Sequence, residues 1–227
     1  MTKGSRLFKV GSGAKLITGS FKVFFTLLSP KFAMIVICEF ACIFLVPMPK
    51  ISLWNLSIFT FTLKSRLVDG LEVFYFYAYS EISALLTTKH KLCGSGVFKA
   101  LCQLSISRFA QSFYLPSEPL IHAIALDDNV KSGYSHSAII AKALKNAQIS
   151  PLPNALKAMS EVKYAGKSLE YRQKNPRNFK LLKPLKAPVI LVDDIITTGL
   201  SMKEAKECVE NAGGEVLFGI VLADARE

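Results

Sequence analysis

The residues best suited to chemistry lie together in one run, Val189-Ile190-Leu191-Val192-Asp193-Asp194-Ile195-Ile196-Thr197-Thr198-Gly199-Leu200-Ser201. An apolar segment ends in two acids, and a short hydroxyl-rich turn then opens what reads as a helix. In open α/β folds ligands bind at the carboxyl ends of the strands, so such a strand would deliver Asp193 and Asp194 to a binding edge. Gly199 lets the backbone turn and approach an anion closely. Thr197, Thr198 and Ser201 place hydroxyls beside the free amides of a helix N-terminus. A phosphate suits that turn, but two adjacent carboxylates would repel it unless they faced something else. Ribose hydroxyls, with or without Mg²⁺, are their natural partners, so the pattern fits a ribose phosphate.

Other phosphate motifs do not match. A Walker A loop ends in Gly-Lys-Ser/Thr and a dinucleotide fingerprint needs G-x-G-x-x-G, and neither stands here. A plainer reading makes Ser201 and Glu204 a capping box for a helix over Ser201 to Ala212, with Gly213-Gly214 as its stop. Both readings can hold, but capping does not explain two acids at a strand end. The cluster Ser135-His136-Ser137 invites a nucleophile activated by His136, yet neither a third member nor oxyanion donors can be named. Ser135 as a helix cap, or His136 and the loop amides as an anion site, are the better readings.

The elements that must position these residues alternate. Leu71 to Tyr77, dense in β-branched and aromatic residues, reads as a strand, followed by a helix over Ser80 to Leu86. A second helix is expected over Gly96 to Ala110, with Pro116 and Pro119 closing the segment. Ile121 to Leu126 reads as a strand, Ser137 to Ala147 as a helix, and Ala155 to Met159 as a weak strand. Buried strands over Val189 to Val192 and Val216 to Leu222 flank the helix after Gly199. The expected fold class is α/β, a parallel sheet flanked by helices.

Charge and cysteine usage narrow the function classes. The chain has 227 residues and a net charge of +11. Residues 1–64 hold 8 basic residues and 1 acid, and residues 65–227 hold 20 and 16. The excess is therefore mostly N-terminal, in an apolar, Phe-rich stretch, and it is weak evidence for nucleic-acid binding. A local signal is stronger, because Lys131 to Lys186 carries 12 basic residues against Glu161 and Glu170. That suits a polyanionic ligand, or simply a solvated face. Cys38, Cys42, Cys93, Cys102 and Cys208 are odd in number and lack a C-x-x-C pair, which argues against a disulfide framework and against direct metal ligation. The expected organisation is an apolar, basic region over 1–64 and one domain over 65–227. Attachment to a membrane through Phe32 to Val46 is a weaker alternative, since Glu39 would sit near the bilayer centre. The expected location is the cytoplasm.

Val189 to Ser201 closely resembles the phosphoribosyl diphosphate binding motif of type I phosphoribosyltransferases. The resemblance implies that Asp193 and Asp194 hold the ribose 2′ and 3′ hydroxyls as the catalytic pair. It also implies that Thr197, Thr198, Gly199 and Ser201 wrap the 5′-phosphate, and that Mg²⁺ accompanies the diphosphate. Lys89-His90-Lys91-Leu92-Cys93-Gly94, Gly133-Tyr134-Ser135-His136, the Tyr171 to Phe179 segment and Asp224-Ala225-Arg226 look like the competence protein ComF family. This chain departs from that family at Ala125-Leu126-Asp127, where Pro-Val-Pro is common, and at Ser132-Gly133-Tyr134-Ser135-His136, where Arg-Gly-Phe-Asn-Gln is common. Residues 1–64 also lack the four-cysteine zinc module with which many members begin.

On that basis Lys163 to Lys180 reads as a mobile hood over the diphosphate, with Lys163, Lys167 and Arg172 as its diphosphate-binding candidates. Tyr164 and Tyr171 could instead stack on the bases of a single strand. The expected function is binding of Mg-phosphoribosyl diphosphate and transfer of phosphoribose to a nitrogenous base, linked by resemblance to competence and DNA uptake. The alternative is a non-catalytic ribose-phosphate or single-stranded DNA module in DNA uptake. Expected partners are phosphoribosyl diphosphate and, on the alternative, single-stranded DNA or competence proteins, with a homodimer left open.

Overall fold

The structure, a computed structural model, describes residues 63–227 apart from 92–93, 127–133 and 161–167, and before residue 63 only the backbone of the short strands Lys9–Val10, Ala14–Lys15, Phe21–Ser29, Phe32–Val36, Ile43–Pro47 and Phe59–Phe61. The Phe32 to Val46 segment, offered as a membrane attachment, overlaps the antiparallel strands Phe32–Val36 and Ile43–Pro47, and its middle, with Cys93, Gly133, Lys163, Tyr164 and Lys167, lies outside the described residues.

From residue 63 onward the chain opens with a hairpin, β1 (Lys64–Val68) and β2 (Leu71–Tyr75), joined through Asp69 and Gly70 at positive φ. The expected single strand to Tyr77 is interrupted at Phe76, which still donates to the Leu222 carbonyl, and it resumes as β3 (Tyr77–Ala78). α1 (Tyr79–Leu86) and a 3-10 turn over Thr87–His90 follow. The one helix expected over Gly96 to Ala110 is two, α2 (Gly94–Leu104) and α3 (Ile106–Ser112). Ser105 breaks it with φ −118° and ψ −77°, its hydroxyl donating back to the Leu101 carbonyl at 2.7 Å. Such back-bonding satisfies the hydroxyl at the expense of helix continuity.

The βαβ part follows as β4 (Ile121–Ala125), α4 (His136–Ala143), β5 (Ile149–Pro151), β6 (Leu156–Ala158), α5 (Leu169–Lys174), β7 (Phe179–Leu181), β8 (Val189–Ile196), α6 (Leu200–Asn211) and β9 (Val216–Asp224). α4 stops four residues short of Ala147. The Asn146 side chain then accepts from the amides of Gln148 and Ile149 at 2.8 and 2.5 Å, turning the chain into β5. The sequence reading missed β5, and it also missed β1. The weak strand expected near Ala155 exists, but β6 pairs antiparallel with β7 in a separate ribbon and not in the main sheet.

The main sheet runs β5-β4-β8-β9-β2-β1, with β3 alongside β9. All its pairings are parallel except that of β1 with β2. The chain moves from β4 outward to β5 and then returns past β4 to β8. The order thus reverses between β4 and β8, the kind of point where open sheets bind ligands. Two apolar clusters cover the two faces. One joins Ile190 and Val192 to residues of α1, α2, α3 and α4, and includes Phe74 packed edge-on against Phe218 at 5.3 Å. The other joins Val189 and Leu191 to Met202, Ala205 and Val209 of α6 and to Leu156 of the ribbon. Among the described residues, no helix is long and apolar enough to cross a membrane.

Candidate functional site

β8 owes its position to sequence: Val189 to Val192 are fully buried, as a central parallel strand requires. The strand does not stop at Val192 but runs through both acids to Ile196, with Asp193 opposite Val221 and Ile195 opposite Ala223 of β9. Successive side chains of a strand point to opposite faces. Asp193 thus shares a face with Val189 and Leu191, beneath α6 and the ribbon, and Asp194 shares one with Ile190 and Val192, beneath α1 to α4.

Each acid meets a cation from its own layer. Lys89 Nζ lies 3.1 Å from Asp194 Oδ2, both side chains being mostly buried. The Lys89 carbonyl in turn accepts from Tyr134 Oη at 2.6 Å and faces His136 Nε2 at 2.9 Å. A carbonyl only accepts, so that ring nitrogen carries the proton. Asp193 is hemmed in differently. Burial first, and the neighbouring Asp194 second, push its carboxyl well above the usual carboxylate range. The Arg177 guanidinium, the Asp194 amide donating at 2.9 Å, and Lys89 pull the other way.

Beyond the strand the chain turns over Thr197, Thr198 and Gly199 into α6. Gly199 takes φ +85°, and a Cβ there would lie 2.3 Å from Val68 Cγ1, so both backbone angle and space demand glycine. Gly199 is also the helix N-cap, which corrects the capping box expected at Ser201 and Glu204. Glu204 instead accepts from the Arg177 amide at 2.8 Å, tying the hood segment to α6. Ser201 lies in the first turn of α6, partly buried. The helix does stop at the expected glycines, with Gly213 at φ +79° and the Gly214 amide donating to Val209.

Thr197 is gripped by two arginines. Arg172 Nη1 donates to its hydroxyl at 2.7 Å, and Arg66 Nη2 donates to its carbonyl at 2.5 Å. The hood segment is more ordered than a loop, since it contains α5 and β7, and Ser168 caps α5 by accepting from Tyr171 N at 3.2 Å. Of its three diphosphate candidates only Arg172 is among the described residues, and it lies at the turn.

The Ser135-His136-Ser137 cluster is not built as a nucleophile. Ser135 caps α4 by accepting from Ala138 N at 3.0 Å, and Ser137 donates to the Leu126 carbonyl at 3.1 Å. His136 directs its Nε2 proton at Lys89, so that nitrogen is no base for either serine. Gly94 belongs to the same knot, for a Cβ on it would lie 2.2 Å from Tyr134 Oη and from the Thr88 carbonyl.

Sequence reasoning did not single out Arg66, Lys89, Arg177 or Asp224 as site residues. Lys89, Arg177 and Asp224 stood within quoted motifs, so a signal existed for them. Arg66 lies 131 residues from Thr197 and had none. The motif segments scattered along the chain, where described, surround one sheet edge: Lys89 on Asp194, Tyr134 and His136 on Lys89, Arg172 on Thr197, and Asp224 on Arg66. Among the described residues no group of three or more His, Cys, Asp or Glu gathers as a metal site.

No family model matches the chain. Short stretches are similar to orotate phosphoribosyltransferases: 50% identical over 36 residues to that of Novosphingobium aromaticivorans, 53% over 38 to that of Sphingopyxis alaskensis, and 51% over 39 to that of Methanopyrus kandleri. These stretches cover 16% to 17% of this chain and 19% to 21% of the relatives, so the chain matches about a fifth of the length of these curated proteins. An α/β sheet with two acids and a glycine turn at its switch point, together with these matches, identifies a type I phosphoribosyltransferase-like region in this chain.

Proposed function

We propose that the edge formed by Asp193, Asp194 and the Thr197 to Ser201 turn binds phosphoribosyl diphosphate, and that the protein transfers its phosphoribosyl group to a nitrogenous base. The observation that supports this reading is an acid pair at the end of a central strand, with Asp194 held by Lys89, followed by a glycine turn gripped by two arginines. On this reading Asp193 and Asp194 hold the ribose 2′ and 3′ hydroxyls. Thr197, Thr198, Gly199 and Ser201 take the 5′-phosphate through hydroxyls and helix N-terminal amides. Arg172, and with it Lys163 and Lys167, supply cations to the phosphates.

The reaction is displacement of diphosphate from ribose C1 by a base nitrogen. It asks little of reactive side chains and much of position, since the rate comes from orienting the ribose, holding charge and excluding water. Mg²⁺ would enter with the diphosphate, whose oxygens are the hard donors it prefers, and neither Asp193 nor Asp194 is assigned as its direct ligand. When bound, it offsets the charge that builds on the departing diphosphate. Lys89 aims the Asp194 carboxylate through their 3.1 Å ion pair, while burial and the neighbouring Asp194 raise the affinity of Asp193 for a proton. The likeness to orotate phosphoribosyltransferases makes orotate the first base to try. The competence link rests on the ComF resemblance alone.

Calorimetric titration of the full chain with phosphoribosyl diphosphate and Mg²⁺ tests the reading, beside the Asp193→Asn/Asp194→Asn double variant. Saturable binding lost in the variant is expected. No binding to a folded wild type sinks the enzyme reading and favours the non-catalytic alternative. That alternative predicts single-stranded DNA binding that weakens steeply with salt.

A further inference from the structure

We infer that Arg66 is a positioning residue for phosphate recognition, acting through the backbone of the turn and not on the ligand; this rests on the ribose-phosphate reading above. Arg66 lies on β1, the antiparallel edge strand, far from the sheet's switch point in sequence. Its guanidinium forks. Nη1 lies 2.9 Å from Asp224 Oδ1, and Nη2 donates to the Thr197 carbonyl at 2.5 Å. The side chains are only 13% and 3% exposed, so the pair is buried beneath the turn.

A buried ion pair gives little net stability over an apolar substitute, because desolvating both charges offsets their attraction. What this one supplies is geometry. The peptide bonds of the described chain are all trans, and in a trans peptide the carbonyl oxygen and the next amide hydrogen point to opposite sides. Pinning the Thr197 oxygen toward Arg66 therefore turns the Thr198 N–H away from β1, as a donor for an anion seated in the turn. The preceding carbonyl is also held, since the Ala225 amide donates to Ile196 at 2.9 Å. Asp224 is fixed from behind by the Arg226 amide at 3.0 Å.

Val68 extends the support. It lies two residues beyond Arg66, on the same strand face, and packs where a Gly199 side chain would be. The hairpin itself is fastened to the helix that follows the turn, with Asp69 paired to Lys203 at 3.1 Å and its carbonyl accepting from Lys206 at 3.4 Å. One hairpin thus braces the carbonyl that opens the turn, the glycine that closes it and the helix beyond.

The test compares wild type, Arg66→Lys and Asp224→Asn as full chains, titrated with ribose 5-phosphate and separately with Mg²⁺ and diphosphate, with melting temperature recorded for each. Lysine keeps a charge for Asp224 but not the planar fork that also reaches Thr197. The expected result is ribose 5-phosphate binding weakened about tenfold or more in Arg66→Lys, with diphosphate binding and melting temperature close to wild type. Asp224→Asn, which loosens the fork from the other end, should show the same selective loss. Ribose 5-phosphate binding retained within about twofold in both variants overturns the inference. So does an equal loss of both ligands, which marks a merely structural role. If wild type itself binds no ribose phosphate, the ribose-phosphate reading fails first. The Thr198 amide resonance of the free protein then decides the rest: it should move in Arg66→Lys, and an unmoved signal overturns the positioning role.

Discussion

Asp193 lies in surroundings that oppose its charge, and removing that charge should stabilise the protein in a pH-dependent way. Burial and Asp194 raise its folded-state pKa above the ordinary value of 3.8, so the folded chain holds a proton that the unfolded chain releases. Below the ordinary value the carboxyl is protonated in both states and carries no penalty. As pH climbs from there toward the raised value, the unfolded state gains from ionising and the folded state does not. Stability then falls by about 1.4 kcal/mol per pH unit. Asp193→Asn keeps an oxygen to accept from the Asp194 amide, which now donates at 2.9 Å, and carries no proton equilibrium. The residue is partly exposed and Arg177 and Lys89 offset some of the penalty, so we expect a gain of about 1 to 3 kcal/mol at neutral pH, vanishing near pH 4. For a chain of this size that is a rise of about 3 to 10 °C in melting temperature. Thermal melts of wild type and variant from pH 4 to pH 8 provide the measurement. A variant less stable at pH 7, or a difference flat across that range, refutes the argument.

Gly199→Ala should cost about 1 to 3 kcal/mol through its positive φ and its clash with Val68, read as a lowered urea midpoint. Adding Val68→Ala should recover only the part due to the clash. Ser135→Ala removes the α4 cap and should cost about 1 kcal/mol by the same assay. Phe74→Ala empties a site 1% exposed and packed against Phe218, and should cost about 3 to 5 kcal/mol.

What the sequence made legible is what local pattern encodes. The run Val189 to Val192 announced a buried strand, the acids and glycine turn announced its edge, and Gly213-Gly214 announced the end of α6. Boundaries set by side-chain bonds were not visible. Ser105 splits a helix through one hydroxyl, and Asn146 ends another by accepting from two amides. Gly199 took the capping position that Ser201 was expected to hold, because a left-handed residue there lets the turn lie against Val68. The ribbon was only half foreseen: β6 was expected as a strand, but Leu156-Lys157-Ala158 is too short to say which sheet it joins, and β7 was not read at all. Arg66 and Lys89 reach the site only across 131 and 105 residues of chain, and no spacing rule spans such separations.

The placement of one acid on each face of β8 also bears on how the sheet assembles. A slip of this strand by one residue against β4 or β9 would exchange the faces of every side chain it carries. Asp194 would then leave Lys89 for the layer beneath α6, and Asp193 would enter the layer of α1 to α4. Central parallel strands rich in valine and isoleucine have little else to tell one alignment from the next, since both of their faces are apolar. The distinction lies in the partners, for the observed alignment sets Asp194 against Lys89 in one layer and Asp193 near Arg177 in the other.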